Sequence, residues 1–118
     1  MNEMFVEMAA QIAAWHEKTF PDATEESQLL KLDEEFAEYA DGEFIEELAD
    51  VFIVAASLSE RWGNMLGTFT MKAVVKHCGK DAGMLYNAIQ KKMEINAARK
   101  WKKLPDGRYK HEEEKWLV

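Results

Sequence analysis

The chain has 118 residues, 47% hydrophobic and 31% charged, with a net charge of -7. That suits one soluble globular domain with one core and leaves no length for a second. The acidity excludes general affinity for nucleic acid or an anionic membrane surface, since both are bound through positive patches.

No run approaches the roughly 20 apolar residues of a membrane span. The opening MNEMFVEMAAQ carries acids where a signal peptide is basic, so a cytoplasmic protein is expected. The single cysteine, Cys78, cannot form an internal disulfide and reads as a small buried hydrophobe rather than a metal ligand.

Only two Pro and six Gly interrupt the chain, which favours long helices. Met1, Phe5, Met8, Ile12 and Trp15 follow helical spacing until Phe20-Pro21, giving a first helix over about residues 2–19. Thr24 offers a hydroxyl cap ahead of Glu25 and Glu26. Leu29, Leu32, Phe36 and Tyr39 then form the seam of a second helix ending near Ala40.

Asp41-Gly42 reads as a turn. Phe44, Leu48, Val51, Ala55 and Leu58 make the seam of a third, most apolar helix that stops at Trp62-Gly63. Residues 64–79 have helical character, with boundaries left open by Gly67 and the β-branched Thr68, Thr70, Val74 and Val75. Asp81 is placed to cap a last helix reaching about Lys103. Pro105-Asp106-Gly107 follows as a turn, and Trp116 and Leu117 in the tail need a surface to dock on. The expected fold is all-α, a four- to five-helix bundle without repeats or linkers.

Nine of the 22 acidic residues fall between Asp33 and Asp50, beside the core seams. If the second and third helices form an antiparallel hairpin about Gly42, Glu38 lies level with Glu47 and Glu35 with Asp50. At about 100° per residue both pairs are offset from their seams in the same sense, so the four carboxylates converge on one side. Converging carboxylates near a core repel unless something neutralises them. Oxygen-only ligands suit Mg2+, with Mn2+ possible, whereas helical di-iron sites add a Glu-x-x-His motif that none of the three His provides. The alternative is a solvated acidic face, and Asp33, Glu34, Glu43 and Glu46 are read as surface acids of that kind.

On the last helix, Leu85, Ile89, Lys92, Asn96 and Arg99 share one stripe that begins apolar and becomes cationic. Either Lys92 and Arg99 snorkel to water at the helix end, or they hold an anionic ligand. Lys31 lies one turn before Glu35, placed for a phosphate or for a salt bridge to Glu35.

Glu35-Phe-Ala-Glu38 followed by Glu47-Leu-Ala-Asp50 resembles the E-x-x-E and E-x-x-D metal motifs of the MazG-like all-α nucleoside triphosphate pyrophosphohydrolases. Lys92-Met-Glu-Ile-Asn96-Ala-Ala-Arg99 resembles that family's K-x-x-x-N-x-x-R element. The order of Trp101, Asp106-Gly107 and His111 is similar to phage-associated members described as dATP/dGTP diphosphohydrolases. Together the matches cover roughly residues 25–111. The chain departs from the family in the short gap between its acidic motifs and in an extra helical segment over residues 64–83.

The resemblance implies one MazG-like domain over residues 1–118 that hydrolyses a (deoxy)nucleoside triphosphate between its α- and β-phosphates. Mg2+ or Mn2+ would sit on Glu35, Glu38, Glu47 and Asp50, with Glu38 or Glu47 as the general base. Lys92, Asn96, Arg99, Lys31 and Trp101 would bind the substrate. Trp15 and Phe20 are candidates for stacking on a base, although core packing suits them better. His16 and His77 read as surface or interhelix residues. A homodimer or homotetramer is expected, without nucleic acid or membrane partners. The alternatives are a dUTPase-like relative and a non-catalytic helical interaction module.

Overall fold

A computed structural model describes residues 1–42 and 44–112. Five helices follow one another: α1 (Glu3–Thr19), α2 (Glu25–Gly42), α3 (Ile45–Trp62), α4 (Met65–Cys78) and α5 (Ala82–Ala98). A short 3-10 turn, Gly79–Asp81, precedes α5. Two strands, β1 (Trp101–Lys103) and β2 (Tyr109–His111), form an antiparallel hairpin pairing Trp101 with His111 and Lys103 with Tyr109. The all-α expectation holds, with this small hairpin added.

The helix boundaries have local causes. Asn2 accepts the Phe5 amide at 3.2 Å, and Asn64 accepts the Gly67 amide at 3.2 Å, so α1 and α4 each start on a side-chain cap. Thr24 and Ser27 exchange side-chain-to-backbone bonds at 3.1 Å, which caps α2 where the sequence suggested. Gly63, at φ 63°, ends α3 in the left-handed conformation that favours glycine.

α3 is buried without a break from Val51 to Leu58 and packs against α1, α2, α4 and α5, so it serves as the central post. Phe5, Met8 and Ile12 reach it from α1, Leu32 from α2, Met71 and Val74 from α4, and Leu85 and Ile89 from α5. A Cβ built on Gly67 would stand 2.6 Å from the Ala55 carbonyl oxygen and 2.8 Å from the Leu58 Cβ. Glycine there lets α4 cross α3 at backbone contact, and the neighbouring β-branched residues do not break the helix.

Five expectations are corrected. α2 runs through Gly42, two residues beyond Ala40, so Asp41-Gly42 is its last turn. α5 stops at Ala98 rather than near Lys103, because Arg99 turns extended (ψ 155°) and the chain enters the hairpin. Asp81 precedes α5 without a side-chain capping bond. Phe36 is 42% exposed, because the inward face of α2 runs through Gln28, Leu32 and Glu35 instead of through Phe36. Cys78 is half-buried rather than fully enclosed. Glu43, Trp116 and Leu117 lie outside the described residues. Among the described residues no helix is long and apolar enough to cross a membrane.

The hairpin folds back over α1 and α2. Lys103 pairs with Asp22 at 2.9 Å, Tyr109 donates to Asp22, and Arg108 reaches Glu34 at 2.8 Å. The Tyr109 ring lies 4.4 Å from that of Phe20. The space beneath it becomes a cavity.

Candidate active site

A cavity of about 350 Å³ is enclosed by the end of α1, α2, α3, α5 and the hairpin. Its acidic wall carries Glu34, Glu35 and Glu38 from α2 and Asp50 from α3. Facing it are Lys92, Asn96 and Arg99 of α5, with Lys31 of α2 alongside. The spacing on α2 and α5 therefore brings together most of the residues singled out from the sequence.

Glu35 is 6% exposed. Its Oε1 lies 3.5 Å from Lys31 Nζ, while Oε2 is buried without a hydrogen-bond partner. Burial, then the charges of Asp50 and Glu38, push the carboxyl up to about 8 against the opposing pull of Lys31. Burial also raises Asp50, although Lys92 Nζ, 3.2 Å away, favours its charged form. Lys31 thus makes the Glu35 salt bridge, and Lys92 is held by an acid of the opposite wall. Arg99 Nη1 contacts Asn96 Oδ1 at 3.4 Å, and the Asn96 carbonyl accepts the Trp101 indole N–H at 3.1 Å. Lys92 and Arg99 are held by Asp50 and Asn96, and the Asn96 carbonyl joins the helix end to the hairpin.

Glu38 stands exposed at the mouth of the cavity. Glu47 is the predicted ligand that the structure leaves outside the lining. It sits in the first turn of α3, where the positive end of the helix dipole favours an acid, with Oε1 3.5 Å from a Cβ built on Gly42. Glu34, read as a plain surface acid, instead lines the cavity and pairs with Arg108; Asp33 and Glu46 are exposed as expected.

Among the described residues no three His, Cys, Asp or Glu side chains stand close enough to form a ready metal cluster. The donor set nevertheless fits a hard divalent cation. It is all oxygen, it includes the buried Oε2 without a partner, and two of its carboxyls are raised by burial and by their acidic neighbours, a cost that a cation would relieve.

The other end of the cavity is aromatic. Phe20 stands edge-on to Trp15 at 5.4 Å and to Trp101 at 5.2 Å. His111 also lines this end. His77 lies elsewhere, its Nε2 3.3 Å from the Tyr39 hydroxyl. Several polar residues of the lining were not placed there from the sequence: Arg108, Tyr109 and Lys110 of the hairpin region, His16, which is interhelix as expected but only 5% exposed, and Gln28, 7% exposed. The legible signal was polar residues at positions 28 and 35 sharing the inward spacing of Leu32.

No family model matches the chain. A dATP/dGTP diphosphohydrolase of Salmonella phage PMBT28 is 30% identical over 102 residues, 85% of this chain. The resemblance read from the motifs is borne out by this relative. The chain spans 29% of the length of that curated relative. Among solved structures, the cyanophage S-2L MazG-like pyrophosphohydrolase bound to dGDP and three catalytic Mn2+ ions per active site is 27% identical. The match covers 93% of this chain and 94% of that chain, at a TM-score of 0.46.

Proposed function

We propose that the chain hydrolyses a (deoxy)nucleoside triphosphate between the α- and β-phosphates, releasing the monophosphate and pyrophosphate. The observation that carries this reading is one cavity in which a buried carboxylate oxygen without a partner, Glu35 Oε2, shares the space with Lys92, Asn96 and Arg99 and with an aromatic end. The similarity to a phage dATP/dGTP diphosphohydrolase over 85% of the chain supports a nucleotide as the ligand.

Glu35, Glu38 and Asp50, with Glu47 from the first turn of α3, would hold Mg2+ or Mn2+. Bound there, a divalent ion supplies Lewis-acid charge at the α-phosphate. The side chains do the rest. Arg99 and Asn96 bind phosphate oxygens, Arg99 through a two-pronged, charge-assisted contact. Lys92 and Lys31 offset the charge of Asp50 and Glu35 and lie along the phosphate path. Glu38, at the open mouth, takes the proton of the attacking water as general base, which its placement favours over Glu47. Trp101, beside Trp15, offers the base a stacking surface, with Phe20 packed behind them.

The test is product analysis on a panel of the common (d)NTPs, dUTP included, with Mg2+ or Mn2+. Pyrophosphate and the monophosphate should appear in equal amounts, and only with the metal present. Release of orthophosphate, or no turnover of any triphosphate, would remove the reading and leave a helical interaction module.

A further inference from the structure

The hairpin contributes a cation to the cavity that the sequence motifs did not include. Arg108, just before β2, lines the cavity together with Lys31, Glu34 and Glu35 of α2. Its Nη1 donates to Glu34 Oε2 at 2.8 Å, while Nε and Nη2 both reach Asp106 Oδ2 at 2.8 Å. The Arg108 backbone N–H donates to the other Asp106 oxygen, Oδ1, at 3.0 Å. The turn thus grips one edge of the guanidinium, and Nη1 is the end turned toward α2.

The turn is itself seated. Gly107 has φ 91°, and a Cβ built on it would stand 3.3 Å from the Ser27 Cβ, so the tip of the hairpin rests against the first turn of α2. The Leu104 N–H closes the turn on the Arg108 carbonyl at 2.7 Å. A planar fork anchored along one edge loses little further freedom when its other edge binds. The contact that edge makes is a modest one, because the Arg108 and Glu34 side chains are 27% and 32% exposed and an ion pair so open to water contributes little to stability. Glu34 is also shared with Lys31 Nζ at 3.6 Å.

We propose that Arg108 is a further substrate-binding residue, that its Nη1 end takes a phosphate oxygen of the triphosphate, and that Glu34 occupies that end until the substrate arrives. The proposal rests on the nucleotide reading of the site. A phosphate group carries more charge than one carboxylate and matches the guanidinium fork, so it displaces Glu34 from Nη1 while Asp106 keeps the other edge in place. The exchange leaves Glu34 paired with Lys31. An ion pair that only fastened the hairpin to α2 would be broken equally by changing either partner, whereas a cation waiting for phosphate and an acid standing in its way have opposite effects on binding.

The test measures KM and kcat for whichever of dATP, dGTP, dCTP, dTTP and dUTP the unaltered protein turns over fastest, with thermal unfolding of each variant as a check on folding. Arg108→Ala should raise KM by about tenfold or more, the loss of a charge-assisted hydrogen bond to phosphate. Glu34→Gln breaks the same ion pair from the other side and should lower KM by about two- to fivefold, because it frees Nη1 from a pair of that strength. The Glu34→Gln arm decides by itself if Arg108→Ala does not fold. A smaller rise from Arg108→Ala, or a KM that Glu34→Gln fails to lower, would overturn the proposal while leaving the nucleotide site standing. If the unaltered protein turns over none of the triphosphates, the nucleotide reading fails and this proposal fails with it.

Discussion

Glu35 shows how one residue can be held against its own preference. It is 6% exposed, its Oε2 has no partner, and burial with acidic neighbours raises it from 4.5 to about 8. A carboxyl whose folded value is raised contributes its stability below about pH 4.5, and that stability is lost as pH rises toward 8 and beyond. Above pH 8 the ionised, metal-free form should therefore be less stable by on the order of 3 to 5 kcal/mol. Glu35→Gln removes that charge. It should raise the melting temperature of chelator-treated protein at pH 8.5, change it much less at pH 5, and abolish hydrolysis. Melting curves at the two pH values decide this, and a lower melting temperature for Glu35→Gln at pH 8.5 would show that the carboxylate is stabilised by something other than a cation.

At this scale the acids were legible because Glu35 and Asp50 stand at equal distances from the α2–α3 corner. Gln28 and His16 were not, because an inward polar side chain has the same sequence signature as a solvated one. Only its neighbours, here Arg61 and the hairpin, make it a lining residue.

The helices were the most legible elements, since the Thr24 cap and the apolar spacing of α1 and α3 pointed to their boundaries, whereas the side-chain caps at Asn2 and Asn64 emerged only in the fold. The hairpin was hidden. Strands of three residues carry almost no alternation, and what holds them is distant in sequence: Asp22, Glu34 and the Phe20 ring. α4 was legible as a helix but not in its packing, which depends on the close approach at Gly67.

The outer side of α4 leaves Met65, Leu66 and Phe69 exposed at 58%, 51% and 60%. Large neighbouring apolar side chains of this kind favour burial against a symmetric partner, and we propose that they form the contact of a homodimer or homotetramer. Light scattering should give a mass at least twice the 13.6 kDa of the chain, and Phe69→Glu should bring it to one chain. A monomeric mass for the unaltered protein would contradict the proposal.

Across the whole molecule, labour is divided between a post and the wall around it. α3 is enclosed by α1, α2, α4 and α5 and supplies most of the apolar core, while α2, α5 and the hairpin supply most of the polar lining of the cavity. The rigid post lets α2 and α3 hold acids beside the core, facing the basic residues of α5 across the cavity. Under the proposed function, a metal–triphosphate complex would engage both the acidic wall and the cationic stripe facing it.

The central claim is that the wall formed by Glu35, Glu38 and Asp50 binds divalent metal, and titration of the protein with Mn2+ followed by electron paramagnetic resonance tests it most directly. The free-ion signal should fall below that of buffer at sub-millimolar Mn2+ in the unaltered protein. It should recover in Asp50→Asn, which keeps the shape of the side chain and removes its charge. A free Mn2+ signal that the unaltered protein leaves unchanged, together with a melting temperature indifferent to the ion, would contradict the account and make the acidic wall a solvated face.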